Sequence, residues 1–537
     1  MNQPDVIVIG SGVGGLTLAS LLAQLQKKRV LVLERHFQPG GYSHSFSRGK
    51  YHWDVGLHYV GAMQKSSPLR QIFDLVTGNQ VDWSPLPEPF ERFSYPGFDF
   101  NVTGDPKRFE ADLIERFPAE EKAIRTYFKD ITRAARAITS AQLEMNSRGG
   151  FRWVMAIGRW WFGKHLKYST KEYLEAHFRD PLLKAVLASQ WGDYGSPPGE
   201  SAFPVHAMVA HHYLQGAYYP VGGAGGIAES IRKILEAHGG QVLLRQEVTE
   251  IIIENGIAVG VRVRKAGSPP TSPTEEFRAP IIVSAAGAPT TYLRLVPESY
   301  PLPFRQALRQ FCQKYPLSSA AGLYVGLSAD PRSIGASGGN IWIYKDTDHD
   351  AMYARRAKAI EAGAPEHAYV SFPSLRDPKA TAHTAEILTF ADYDSFSRWR
   401  EQPWLRRDED YKQLKERIAD GLLQLVESRL PGFTALVARR ELSTPITNEH
   451  FTGHPRGGVY GLSVCPERLA PEARAWHHVR SPIPGLYLTG VDTMLLPGIV
   501  SALVAGVVTL GALPGGRSLP AIFSEARRRA AKSNGTA

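Results

Sequence analysis

The chain has 537 residues and a mass of 59.3 kDa, with 62 Lys and Arg against 52 Asp and Glu, a formal charge of +10. Hydrophobic residues make up 43% and charged residues 21%, which excludes global disorder, collagen and coiled coil and fits several domains or one interleaved unit. The two cysteines, Cys312 and Cys465, exclude a disulfide framework and fit a reducing compartment.

A pI near 9.3 points to an anionic partner (membrane headgroups, a phosphate-bearing cofactor or nucleic acid) or to no more than a mildly basic surface. Nucleic acid is the least favoured, because no binding signature for it is present. Residues Met1 to Asp5 lead straight into an apolar run without a basic leader region, so a cytoplasmic protein with no cleaved leader is expected.

Val6-Ile7-Val8-Ile9 reads as a strand buried on both faces. Gly10-Ser11-Gly12-Val13-Gly14-Gly15 follows at once, then Leu16, Leu18, Leu21, Leu22 and Leu25 at helical spacing, then a second strand, Arg29 to Leu33, ending at Glu34. Strand, glycines, helix, strand and acid in that order form a dinucleotide-binding unit. Gly10 allows the tight turn, Gly12 lets backbone approach a diphosphate, and Gly15 lets helix pack on strand. The helix N-terminus offers unpaired N–H groups to the diphosphate. Glu34 suits the two hydroxyls of an adenosine ribose and disfavours a 2′-phosphate, so the site fits FAD or NAD rather than NADP.

Further along, residues 62–218 are aromatic and helical in character. Within them, Arg148 to Lys171 carries Arg148, Arg152, Arg159, Lys164, Lys167 and Lys171 with no acidic residue, interleaved with Phe151, Trp153, Trp160, Trp161, Phe162 and Tyr168. With Ile157 on the same helical face, this segment reads as a membrane-surface element; an aromatic core with snorkelling bases is the other reading. Ile227, Ile231, Ile234 and Leu235 mark a helix, and Asn255-Gly256 a hairpin turn inside Glu247–Arg264. Gly223 to Ala228 fits a second glycine fingerprint but follows Pro220 rather than a buried strand. Ile281 to Ala285 is another buried strand. Strands are expected at Gly322–Leu327, Ile341–Tyr344 and Ala368–Phe372, and an amphipathic helix near Asp408–Arg429.

Gly335-Ala336-Ser337-Gly338-Gly339 spells a hydrolase elbow, yet a strand follows where that motif needs a helix. His450 and His454 are separated from a helical metal face by Gly453 and Pro455, so no metal site is expected. Leu495 to Leu513 has nearly the length of a membrane span, but its Pro, Gly, Ser and Thr content favours a buried helix packed against a cofactor. Arg517–Ala537 reads as a loose basic tail.

Two stretches together carry a resemblance. Glu34 with the basic loop Arg35 to Gly40-Gly41, and Gly485 to Gly490-Val491-Asp492, are similar to the two flavin motifs of the FAD-dependent amine oxidase and phytoene desaturase superfamily. Trp53 to Gly61, His211 to Pro220, Thr444 to Asn448 and Arg456 to Gly461 resemble its retinol saturase branch. The resemblance implies an α/β fold, a Rossmann-like FAD-binding domain interleaved with a mixed-sheet substrate domain and a helical lid. The FAD-binding parts would be 1–61, 219–287 and 456–516, the lid 62–218, the substrate domain 288–455 and the tail 517–537. FAD would be held by Gly10, Gly12, Gly14, Gly15, Glu34, Arg35, Gly40 and Gly41. Val248 would touch adenine, Gly490 and Asp492 the ribityl-pyrophosphate region, and the helix starting at Gly498 and Ile499 the flavin ring.

The implied chemistry is hydride transfer from flavin N5 to a C=C bond of a lipophilic polyene, a retinoid or carotenoid, with protonation of the neighbouring carbon. His58 or Tyr59 would supply that proton, with His211 and His212 as second choices. Desaturation or isomerisation at the same site, and a prenyl carrier without redox chemistry, are the alternatives. NAD(P)H, quinone or oxygen could each serve as electron partner, and attachment to a membrane surface is expected.

Overall fold

The computed structural model describes residues 3–146, 149–162 and 167–534, with the side chains of 149–152, 159, 161–162 and 533–534 outside the description. A five-stranded parallel sheet runs in the order Gln241–Leu243, Val30–Leu33, Val6–Ile9, Ile281–Ser284, Leu486–Leu488. Its strands are drawn from both ends and the middle of the chain.

Burial on both faces explains the unbroken apolar runs. Val6 and Val8 enter one core, with the helix Val13–Gln26 and the late helix Ile499–Ala512. Ile7 and Ile9 enter another, covered by a three-stranded antiparallel sheet (Gln246–Glu254, Ile257–Lys265, Glu275–Arg278). Leu31 and Leu33 join the second core while Val30 and Val32 join the first. Asn255-Gly256 makes the expected hairpin turn.

The stretch Leu495–Leu513 contains the 14-residue helix Ile499–Ala512, packed on the first helix through small residues. A Cβ on Gly14 would lie 3.0 Å from the Ala502 carbonyl oxygen, and one on Gly506 would lie 2.8 Å from that of Gly14. No helix among the described residues is long and apolar enough to cross a membrane.

The second sheet has seven strands, ordered Val437–Ser443, Ala320–Leu327, His383–Phe390, His367–Ser371, Asn340–Tyr344, Glu91–Tyr95, Phe98–Val102. Its central strands alternate strictly. Leu323, Val325, Ile341, Ile343, Val370 and Ile387 face the amphipathic helix Glu409–Glu427 in a third core. Tyr324, Trp342, Tyr369, Leu388 and Phe390 point to the opposite side, where they wall a cavity.

The loose tail expected over 517–537 is instead a helix, Leu519–Asn534. Ile522 and Ala526 are 0% and 1% exposed, Phe523 packs beside them, and Arg529 donates to Gln24 Oε1 at 2.9 Å. The arginines disguise an apolar stripe at 519, 522, 523 and 526 that follows helical spacing. Ile522→Ala should therefore lower the unfolding free energy by about 2–5 kcal/mol in a denaturant titration, where a loose tail would leave it unchanged.

Candidate active site

The first strand ends at Gly10, whose φ of +93° only glycine adopts without strain. A Cβ on Gly15 would collide with the Gly10 carbonyl oxygen, so the helix start lies directly on the turn. At Gly12 an added Cβ would meet nothing within 4 Å, which leaves the backbone open towards a cleft of about 890 Å³. Gly41, φ +56°, closes from the other side, and Gly40 donates its N–H to the Ser11 carbonyl at 3.1 Å.

Glu34 is 7% exposed, and both its oxygens already accept local hydrogen bonds. Its Oε2 accepts from the backbone N–H of Ser11 (2.8 Å) and from Ser11 Oγ (2.7 Å), and Oε1 accepts the His36 N–H at 2.7 Å. A carboxylate has about four acceptor sites, so capacity for a ribose hydroxyl remains. Arg35 and Val248 line the same cleft. His36 lines it too, and the buried His36 Nε2 has no hydrogen-bond partner there. The open face at Gly12 and this orphaned nitrogen are both compatible with a bound dinucleotide.

The late motif lies directly against the early one. A Cβ on Gly14 would stand 3.1 Å from the Gly490 Cα. Asp492, 2% exposed, accepts the Ala288 N–H at Oδ2 (2.8 Å) and the Leu462 N–H at Oδ1 (2.9 Å). It thus ties three chain segments together. Gly498, φ +90°, caps the helix Ile499–Ala512, and both Gly498 and Ile499 line a further, largely apolar chamber of about 1460 Å³.

That apolar chamber meets the aromatic cavity on the seven-stranded sheet, about 800 Å³, at Gly56, His58, Tyr59, Asp193 and Tyr460. His58 and Tyr59 sit in the loop between the short strands Tyr51–Asp54 and Val60–Gly61. His58 Nδ1 lies 2.6 Å from Glu386 Oε2, and the other Glu386 oxygen accepts the Asp54 N–H at 2.7 Å. His58 Nε2 has no hydrogen-bond partner. Glu386 is wholly buried, and burial pushes its carboxyl up while the His58 ring opposes the rise. Tyr59 donates its hydroxyl to Asp193 Oδ2 at 2.6 Å and stacks on Tyr213 with centroids 4.5 Å apart.

Sequence reasoning missed Glu386 and Asp193. Glu386 had a signal, a lone carboxylate in the apolar strand His383–Phe390. Asp193, 134 positions from its Tyr59 partner, had none. His212 lines the apolar chamber, but its Nε2 accepts the Gly61 N–H at 2.9 Å and burial depresses the ring to about 4. It is a neutral acceptor that fixes the loop. His211 lies outside both chamber walls, and burial lowers its pKa as well. Among the described residues no group of three or more His, Cys, Asp or Glu could hold a metal.

Residues 8–75 match the model of the NAD(P)-binding Rossmann-like domain. The chain is 33% identical to all-trans-retinol 13,14-reductase of Danio rerio, over 98% of this chain and 88% of that protein. It is 25% identical to the chloroplastic prolycopene isomerase of Arabidopsis thaliana, over 94% and 81%. Among solved structures, cyclohexylamine oxidase from Brevibacterium oxydans shares the fold with a TM-score of 0.61 over 97% of this chain and 99% of that one, at 16% identity. The class so defined is an oxidoreductase with the α/β fold of flavin oxidases. Within that class, the chain belongs to the all-trans-retinol 13,14-reductase family.

Two glycine substitutions separate the packing role from the binding role. Gly15→Ala should lower both the melting temperature and dinucleotide retention, because its Cβ meets backbone. Gly12→Ala should leave the melting temperature of the dinucleotide-free protein unchanged and reduce retention alone, read as dinucleotide released per mole of protein on denaturation.

Proposed function

We propose that the protein is an FAD-dependent oxidoreductase that saturates a C=C bond of a lipophilic, retinoid- or carotenoid-like polyene. The observation that carries this reading is that two chambers walled by aromatic and aliphatic side chains share His58 and Tyr59 as wall residues, one of them also lined by the helix start at Gly498 and Ile499.

Gly10, Gly12, Gly14 and Gly15 with the first helix N-terminus would hold the diphosphate, Glu34 the adenosine ribose, and Val248 the adenine. Arg35, Gly40 and Gly41 would close the cleft from the facing loop, and Gly490 with Asp492 would meet the ribityl-pyrophosphate region. Bound and reduced, the flavin supplies a hydride from N5 to one alkene carbon. The chain's own work is to thread the polyene, exclude water and provide the proton for the adjacent carbon from the corner of His58 and Tyr59. Glu386 holds the His58 ring in place.

A membrane surface is the proposed source of substrate. In the helix Gly149–Phe162, Trp153, Val154, Ile157 and Trp160 form one stripe, 57–76% exposed. That helix packs on Glu121–Asn146, whose Thr139, Gln142 and Leu143 line the apolar chamber. Lys167 and Lys171 are exposed beyond it. Arg148 and Lys164 lie outside the described residues, as do the side chains of Phe151, Arg152, Arg159, Trp161 and Phe162.

Anaerobic incubation of the dithionite-reduced, flavin-loaded protein with retinoids and carotenoids should give products heavier by two hydrogens. Loss of two hydrogens would make it a desaturase, and unchanged mass with altered retention an isomerase; either outcome rejects saturation. In flotation assays with anionic vesicles, Trp153→Ser with Trp160→Ser should abolish co-flotation at low salt while leaving turnover of detergent-dissolved substrate unchanged.

A further inference from the structure

Tyr59 and Asp193 form a hydrogen-bonded pair at the point where the two chambers join. The hydroxyl proton of Tyr59 is directed at Asp193 Oδ2, so Tyr59 does not present it to the chamber. Asp193 keeps partial accessibility despite its depth, because it belongs to both chamber walls. With Oδ2 taken by Tyr59, Oδ1 is the oxygen open to a ligand.

Asp193 interacts electrostatically with the buried carboxyl of Glu91 and the hydroxyls of Tyr59, Tyr194, Tyr213, Tyr344, Tyr369 and Tyr460. It shares its chamber walls with His58 and has the Arg376 guanidinium behind His58 as the neighbouring cation, donating to the His58 carbonyl at 2.9 Å. Glu91 is 0% exposed and satisfied on its far side by Gln190 Nε2 (2.7 Å) and Trp342 Nε1 (3.0 Å). Two buried carboxyls that repel one another cannot both ionise cheaply, which favours a proton retained on one of them. Desolvation and the Glu91 charge push Asp193 well above the ordinary carboxylate range, while Glu91 has more donors to stabilise its ionised form. Glu386 engages Nδ1 of His58, which leaves the unpartnered Nε2 as the ring atom available to a ligand.

We propose that Asp193 is the catalytic acid of the chamber, with Tyr59 as its positioning residue and His58, held by Glu386, orienting the ligand. The inference rests on the reading of the site as a polyene reductase. The hydride brings two electrons to one alkene carbon, and the proton on Asp193 Oδ1 goes to the neighbouring carbon. The C=C bond becomes a CH–CH bond, the reduced flavin is left oxidised, and Asp193 is left as a carboxylate. The Tyr59 hydroxyl stabilises that carboxylate through Oδ2, and a proton from solvent restores it before the next turnover. Sign and direction follow: the competent form is the protonated one, so the rate falls as pH rises through the raised pKa of Asp193.

The first test needs neither flavin nor substrate. Infrared spectra of the protein carrying carboxyl-¹³C aspartate should show a shifted carboxylic C=O band at pH 7 that is absent from Asp193→Asn. Glutamate labelling separates Glu91 from it. In single-turnover oxidation of the dithionite-reduced, flavin-loaded protein by a polyene in D₂O, Asp193→Asn should slow deuterium incorporation by roughly 10²-fold or more. Its rate should also lose the decline on the alkaline side, while polyene binding measured by fluorescence quenching is retained. Tyr59→Phe should shift the alkaline limb rather than remove it, and His58→Asn should cost less than Asp193→Asn. An ionised Asp193 at pH 7, or an Asp193→Asn protein with wild-type rate and pH profile, overturns the proposal even if reduction is observed. Absence of polyene reduction with the infrared band present overturns the saturase reading and leaves the protonated acid standing.

Discussion

The close apposition of the first helix and the last part of the chain is the constraint on which the rest depends. Gly14 permits it by offering no side chain to Ala502 and Gly490, and Gly506 reciprocates against Gly14. A methyl group at either position would push apart two helices that bury one face of the same parallel sheet. The contact sets the glycine turn with Gly12 beside the loop that carries Gly490 and Asp492. Asp492 strengthens the joint by taking N–H groups from two further loops, at Ala288 and Leu462. Since the sheet's edge strand, Leu486–Leu488, lies late in the chain, the cleft cannot form until nearly the whole polypeptide is available, and such distant pairing folds slowly.

Much of this framework is legible in the sequence, for identifiable reasons. Val6–Ile9 and the glycine turn after it obey local rules: double burial demands unbroken apolar character, and the turn demands glycine. Three central strands of the seven-stranded sheet, Ala320–Leu327, Asn340–Tyr344 and His367–Ser371, are legible to within a residue or two because one face of each is apolar, whereas His383–Phe390 between them is not. The C-terminal helix was concealed because eight residues of charge and alanine outweigh four apolar positions that decide its packing. Mean composition is a poor guide where a narrow stripe suffices.

The reactive corner is less legible. His58 and Tyr59 stand out as polar groups next to a strand, but their partners come from distant segments. Glu386 reaches His58 from the second sheet, and Asp193 reaches Tyr59 from the end of a short helical turn. No spacing rule links such positions, because only the tertiary packing of two sheets and a helical layer brings them together. The electrostatics is equally non-local. Burial raises both Glu386 and Asp193, yet one has an imidazole beside it and the other a second carboxyl.

The alternation of the seven-stranded sheet has a bearing on how such a protein diversifies. Tyr324, Trp342 and Tyr369 face the ligand space, whereas their chain neighbours Leu323, Val325, Ile341, Ile343, Ala368 and Val370 face the structural helix. Recognition and integrity are therefore written on alternate letters of the same strands. Mutational drift at the first set can reshape the polyene wall, widening it for a bulkier end group or narrowing it for a slim one, while the second set keeps the scaffold intact. A single insertion in one of these strands would exchange the two scripts and lose both.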